Sequence, residues 1–178
     1  ACVSCAGGQY RNTSDYTCKD CAIGTASSVL VDVCPTCVEG QYTSGLGLTA
    51  CADCAPGKYL EALTLPTNVI ACKSCGTGNV STASKATICT ACGSGQVPNT
   101  DKKACEACGV GTYKSGAACA ECDAGKAAGI QQDSCETCVT GKIPDGSKAA
   151  CVSCAGGQYR NTSDYTCKSC AIGTASSV

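Results

Sequence analysis

Apolar positions along this chain never recur at the three-and-four spacing of a helix face for long enough to define a helix. Nor do they run on far enough to cross a membrane. They come in short patches between polar, turn-forming residues. Gly40-Gln41-Tyr42-Thr43 and Ser28-Val29-Leu30-Val31-Asp32-Val33 each have the length of one arm of a small hairpin, with Gly, Asn, Asp and Ser supplying the turns. One stretch is more apolar, from Leu60-Glu61-Ala62-Leu63-Thr64-Leu65-Pro66 through Val69-Ile70. It offers a lateral contact or fills its own enlarged loop, and the second is the simpler expectation.

The patches keep step with cysteine. All 22 cysteines fall in C-x-x-C pairs, which start at positions 2, 18, 34, 51, 72, 89, 105, 119, 135, 151 and 167. The interval is 16 or 17 residues in eight cases of ten, so the chain is an internal repeat. The third residue after the second cysteine is glycine every time: Gly8, Gly24, Gly40, Gly57, Gly78, Gly95, Gly111, Gly125, Gly141, Gly157 and Gly173. Such a position needs a positive φ or lies too close to a bridge to admit a Cβ. Two residues further on stands Tyr10, Tyr42, Tyr59, Tyr113 or Tyr159 in five modules, placed to pack locally on a bridge with a wet hydroxyl, and Ala, Val or Ile in the other six. The expected fold is a small disulfide-rich, mainly β or irregular one. It is a linear rod of tandem hairpin modules of about 16 residues, each touching chiefly its neighbours, with little or no helix and no large core.

A larger period overlies the small one. Residues 150–178 repeat residues 1–29 at an offset of 149, and 28 of the 29 positions agree, Asp20 against Ser169 being the exception. Residues 1–149 therefore read as one full repeat of nine modules, and residues 150–178 as the first two modules of the next copy. The chain is expected to belong to a longer tandem array.

Nine is odd, which constrains the disulfides. If neighbouring C-x-x-C pairs joined in twos, the partnering would change phase from one copy to the next, and near-identical segments would need different bonds. A ladder avoids this, with the second cysteine of each pair bonded to the first of the next. It predicts Cys5–Cys18, Cys21–Cys34, Cys37–Cys51, Cys54–Cys72, Cys75–Cys89, Cys92–Cys105, Cys108–Cys119, Cys122–Cys135, Cys138–Cys151 and Cys154–Cys167. Cys2 and Cys170 remain for adjoining repeats.

Composition strengthens this picture. A hydrophobic content of 44% looks ordinary, but it is made largely of Ala, Cys and Tyr, and Phe, Trp and Met are absent. Leu, Ile and Val supply 24 of 178 residues, too little apolar area for one large core. Cysteine fills the gap, because each bridge removes loop entropy from the unfolded chain, about 3 kcal/mol for a loop near 15 residues. Disulfides at this density belong to an oxidising compartment, so the protein is expected outside the cell or on its surface. With 13 basic and 14 acidic residues interspersed, nothing calls for a nucleic-acid or anionic-membrane partner. A membrane is expected only through an anchor not visible here.

Candidate chemistry narrows quickly. Tandem C-x-x-C pairs also bind zinc, and the Cys54 to Cys72 interval has suitable spacing, but most intervals are shorter and His is absent. A thioredoxin-type redox site would need one privileged pair in a βαβ setting. No convergent acid, base or nucleophile stands out, so neither catalysis, nor a metal, nor a cofactor is expected. Asn12-Thr13-Ser14, Asn79-Val80-Ser81 and Asn161-Thr162-Ser163 fit the N-glycosylation sequon, which makes Asn12, Asn79 and Asn161 candidate glycan sites.

The run Cys51-Ala-Asp-Cys54-Ala-Pro-Gly57-Lys-Tyr59 resembles the ephrin-receptor-like and growth-factor-receptor cysteine-rich repeats of extracellular proteins. The Ala-, Thr- and Cys-rich tandem arrangement is still more similar to the surface immobilisation antigens of ciliates. That resemblance covers the whole chain and implies an extended, membrane-anchored coat protein. Pro after the second cysteine, frequent in the receptor repeats, occurs here only at Pro56. The sequence therefore points to a structural extracellular protein, a disulfide-laddered and glycosylated filament or coat whose partners are its own neighbouring repeats. The alternative is the stalk or the binding modules of a cell-surface adhesin or receptor.

Overall fold

In a computed structural model the fold is described for residues 4–61 and 71–175. The Ala62–Ile70 part of the apolar stretch lies outside the described residues, as does Cys2.

Every described element is a short strand, and no helix occurs among the described residues. Each module is a hairpin running from the second cysteine of one pair to the first of the next, numbered here 1 to 10. Nine of them hold a two-stranded antiparallel sheet. The paired strands are Gln9–Arg11 with Cys18–Asp20, Gln41–Tyr42 with Ala52–Asp53, and Lys58–Tyr59 with Lys73–Ser74. They continue with Asn79–Val80 and Thr90–Ala91, Gln96–Pro98 and Cys105–Ala107, then Thr112–Ser115 and Ala118–Glu121. The last three are Lys126–Ala127 with Glu136–Thr137, Lys142–Pro144 with Cys151–Ser153, and Gln158–Arg160 with Cys167–Ser169.

Hairpin 2 departs from the sequence reading. Ser28–Val33 is not a strand, and the arms of this hairpin meet only at the Thr25–Thr36 bridge. The reason lies in its backbone, which bonds outward. The Ser27 and Val31 carbonyls accept from the Gly8 and Arg11 amides, and the Ser27 amide donates to the Leu48 carbonyl. Groups committed to neighbouring hairpins are not available for a ladder within their own.

Every hairpin is closed at its base by a disulfide, with Cα–Cα distances of 5.4 to 5.7 Å. Inside most bridges, the amide of the next second cysteine donates to the carbonyl of the recurring glycine, as Cys21 does to Gly8 and Cys54 to Gly40. The buried set is correspondingly thin. Among the described residues it consists mainly of second cysteines such as Cys21, Cys54, Cys75 and Cys108, together with small side chains, and the only larger aliphatics in it are Leu60 and Val80. The interior is thus a series of sulfur contacts rather than one core, which matches the shortage of branched aliphatics.

The described chain forms two compact units, Ala1–Ala91 with Thr100–Ala104, and Cys92–Asn99 with Cys105–Val178. Within each, the hairpins repeat in threes, a period the sequence reading missed. In hairpins 1, 4 and 7 the recurring glycine donates its amide to the following hairpin, Gly8 to Ser27, Gly57 to Ser81 and Gly111 to Ala128. In hairpins 2, 5 and 8 the third residue after that glycine, Ser27, Ser81 or Ala128, passes the bond on to Leu48, Lys102 or Lys148. These middle hairpins bury a pair of small residues, Ala26-Ser27, Val80-Ser81 and Ala127-Ala128, between their neighbours. In hairpins 3, 6 and 9 the same position is Thr43, Pro98 or Pro144. Proline has no amide hydrogen, so in hairpins 6 and 9 the relay stops there.

Candidate functional site

The recurring glycine and the carbonyl of the second cysteine form a seat at each hairpin. All eleven glycines have positive φ, from 62° to 85°. Of the two sequence explanations the first therefore holds. At six of them the close neighbour that bars a side chain is not a bridge but the hairpin two places ahead. A Cβ on Gly40 would lie 2.0 Å from the Lys85 carbonyl oxygen, and one on Gly125 would lie 2.4 Å from the Tyr165 ring. Gly8, Gly57, Gly95 and Gly111 are covered in the same way by hairpins 3, 6, 8 and 9. Among the described residues the backbone hydrogen bonds between hairpins all join adjacent ones, as the repeat implies, and the tips add a contact that reaches over one hairpin to the next.

The tips dock by filling an open acceptor. The second-cysteine carbonyl that opens a hairpin takes a bond from the next hairpin in seven places. Three donors are backbone amides: Gly47 to Cys21, Lys85 to Cys54 and Gln131 to Cys108, at 2.8 to 2.9 Å. Four are cations: Lys102 Nζ to Cys75, Lys114 Nζ to Cys92, Lys148 Nζ to Cys122 and Arg160 Nη1 to Cys138. The residue supplying the tip often sits in the left-handed region itself, as at Lys85, Lys102, Gln131 and Lys148. A basic side chain on a buried carbonyl is a charge-assisted bond that one lysine or arginine per module can supply. In the sequence these cations are only interspersed charge, and the available signal is a basic residue in hairpins 6, 7, 9 and 10.

Hairpin 7 shows a fuller version of this latch. Lys114 Nζ reaches back to the carbonyls of Cys92 and Gly93, both at 2.9 Å. Ahead lies Asp133 of hairpin 8, whose Oδ1 accepts the Gly95 amide at 2.6 Å. Its carboxyl is held below the ordinary carboxylate value first by that amide, then by the Ser94 hydroxyl, and further by the Lys114 charge.

The repeated segment displays its latch twice, in different surroundings. Arg11 in hairpin 1 turns forward, with Nε at 2.9 Å and Nη2 at 2.7 Å from Asp32. Its counterpart Arg160 in hairpin 10 turns back to the carbonyls of Cys138 and Val139, and its guanidinium lies 5.0 Å over the Tyr165 ring. Tyr165 is half-buried against Gly125, whereas its counterpart Tyr16 is 82% exposed. The one substitution between the copies also touches this face. Gln9 donates to Asp20 at 3.0 Å, as Gln41 does to Asp53, and Ser169 removes that carboxylate from the strand opposite Gln158.

The structure joins the same ten cysteine pairs that the ladder names, and Cys170 is the one free cysteine among the described residues. No grouping suited to a metal ion occurs among the described residues. The three sequons differ in setting. Asn12 and Asn161 open tight turns, each accepting from the serine two residues on at 2.9 Å. Those turns are held by Asp15 and Asp164, each pushed down to about 2 by its lysine partner, Lys19 or Lys168, and then by Thr17 or Thr166. Asn79 instead lies in a strand with Nδ2 donating to the Thr77 carbonyl at 2.9 Å, and Ser81 of the same sequon is buried and bonded to the Ala83 carbonyl. No helix among the described residues is long and apolar enough to cross a membrane. Sequence comparison matches no family model to this chain and finds no curated protein similar to it.

Proposed function

We propose that this protein is a non-catalytic structural element of an extracellular filament or surface coat, built by tandem repetition of the 149-residue unit. One observation carries the reading. Six of the recurring glycines are covered by the hairpin two places ahead and seven second-cysteine carbonyls are filled by the next hairpin, so a further copy can extend the same contacts. Ten bridges at sequence separations of 11 to 18 residues support an oxidising setting, and they limit how far any local opening can spread. Sugars on Asn12 and Asn161 would shield turns that face outward. The partners are other copies of the same modules, with no nucleic acid and no cofactor, and any membrane attachment lies in a separate anchor. The recurrence of this seat along the chain favours a repeated structural role over an adhesin, in which one module should diverge to carry a binding site.

Electron microscopy of the native material tests this directly. Filaments or a coat lattice with an axial repeat matching one 149-residue unit are the expected result. Isolated particles without periodicity would overturn the proposal.

A further inference from the structure

Hairpin 10 carries an open face that its twin covers. In hairpins 1, 4 and 7 the amide three residues after the recurring glycine bonds to the next hairpin: Arg11 to Val31, Leu60 to Ala86 and Lys114 to Gln132. The corresponding amide in hairpin 10 belongs to Arg160, and it makes no backbone bond to another hairpin among the described residues. Beside it is a cavity of about 730 Å³, lined among others by Gly141, Cys154, Gln158, Tyr159, Arg160 and Cys170. No heavy atom would lie within 4 Å of a Cβ on Gly141 or on Gly157, in contrast to the covered glycines. One further observation singles out a ligand. Arg160 Nε is the one buried side-chain polar atom without a hydrogen-bond partner among the described residues. A buried donor of this kind is costly to leave unmade.

The twin shows what satisfies it. Arg11 spends its Nε and Nη2 on the Asp32 carboxylate, and Lys114 likewise has Asp133 ahead of it while it grips the Cys92 carbonyl behind. Asp32 and Asp133 occupy the same place, two residues before the first cysteine of their pairs. We propose that the cavity beside hairpin 10 is a docking site for the next copy of the segment seen at residues 30–51, whose aspartate matching Asp32 takes Arg160 Nε. Arg160 then holds three hairpins at once, through Nη1 to Cys138 behind and through Nε to the carboxylate ahead. This inference rests on the tandem-array reading and names the contact that joins successive copies.

Amide hydrogen exchange tests it, with Arg11 and Arg160 as an internal pair, since the chain has no other arginine. In the 178-residue protein the Arg11 amide should exchange about tenfold more slowly than that of Arg160, the protection expected from one bond to a neighbouring hairpin. In a chain prolonged by residues matching 30–51, the Arg160 amide should slow to the Arg11 rate. Asn at the position matching Asp32 should restore most of the reactivity of Arg160 toward phenylglyoxal. Equal rates for the two arginines in the 178-residue protein would overturn the proposal, and that comparison stands even where the prolonged chain fails to fold. So would an unprotected Arg160 in a prolonged chain whose Cys170 is bridged to the cysteine matching Cys34. Slowing of Arg160 exchange as the 178-residue protein is concentrated would mean that a separate chain fills the cavity, and would overturn the occupant named here. Protection of Arg160 with no filaments by microscopy would refute the filament and leave the docking site standing.

Discussion

Gly40→Ala and Gly141→Ala are the same substitution at equivalent positions, yet they should behave differently. Both glycines have positive φ, 73° and 77°, so both alanines carry the left-handed strain of an L-residue, about 1–2 kcal/mol. That strain falls on each hairpin's own closing bond, Cys54 amide to Gly40 carbonyl or Cys154 amide to Gly141 carbonyl. The second effect belongs to Gly40 alone. Its new methyl would meet the Lys85 carbonyl oxygen at 2.0 Å, so the tip of hairpin 5 must lift, while at Gly141 the methyl meets nothing within 4 Å. Lifting the tip breaks the 2.9 Å bond from the Lys85 amide to the Cys54 carbonyl and uncovers that carbonyl at the foot of hairpin 4. Losing that bond costs about 1–3 kcal/mol of local protection, or roughly 5- to 150-fold in exchange. Native-state hydrogen exchange is the suitable assay, because the bridges keep either variant from unfolding globally. The Lys85 amide should speed up by that factor in Gly40→Ala and stay unchanged in Gly141→Ala. If Lys85 exchange moves less than about twofold in Gly40→Ala, the tips are not held by these seats and the stacking scheme is wrong.

Asp15 and Asp164 should titrate near 2 by carboxyl carbon NMR. Because their folded values lie below the ordinary 3.8, the turns they hold should be intact above about pH 4 and loosen as pH falls through 2; midpoints near 3.8 would remove the lysine and threonine contacts from the account. In a glycosylating secretory host, mass spectrometry should find sugar on Asn12 and Asn161 and little on Asn79, whose amide and serine are engaged within the fold; equal occupancy would refute that distinction. Thr43 is fully buried with Oγ1 accepting the Gly24 amide at 2.7 Å, so Thr43→Val should speed Gly24 exchange by about 1–3 kcal/mol of lost protection, and an unchanged rate would count against the bond. Deleting residues 51–104, a whole set of three hairpins, should leave a chain that refolds to one disulfide pattern by non-reducing peptide mapping, whereas deleting residues 89–104 should give mixtures. Equal homogeneity would mean that the threefold grouping carries no energy.

Spacing alone carried the local layer of this fold. The pairs at 16 or 17 residues fixed hairpin length, and Gly three residues past each second cysteine announced a positive φ, because only that residue takes the conformation without strain. The odd number of pairs per unit led to the ladder. What the sequence concealed was contact between hairpins. Val29, Leu30 and Val33 look like a strand, and they are exposed loop residues because the surrounding carbonyls serve hairpin 1. Lys102, Lys114, Lys148 and Arg160 look like ordinary surface charge, because nothing in a linear pattern shows a cysteine carbonyl at the foot of the preceding hairpin. The position three residues after the glycine was legible in hindsight. It reads Arg, Leu, Lys and Arg in hairpins 1, 4, 7 and 10, Ser, Ser and Ala in 2, 5 and 8, and Thr, Pro and Pro in 3, 6 and 9.

That threefold grouping gives the number nine a second meaning. Parity explains why adjacent cysteine pairs do not join in twos, but any odd number of modules would serve that purpose. A seat that matches hairpins in sets of three asks more, since a unit must hold a multiple of three modules for each copy to meet the next in the same phase. The sets start at Cys2, Cys51 and Cys105, and the following copy opens at Cys151, so hairpin 10 arrives as a first-type hairpin with Tyr159 and Arg160 in the places of Tyr10 and Arg11. A unit of seven or eleven would satisfy the ladder and still set a proline-bearing hairpin where an amide donor is needed. Nine is the smallest odd multiple of three above three itself, and it lets individual sets differ in loop length, as hairpins 4 and 7 do with cysteine separations of 18 and 11, without disturbing the junction. In the proposed array the near-identity of residues 1–29 and 150–178 would fall where constraint is greatest, on the hairpins that fit one copy to the next.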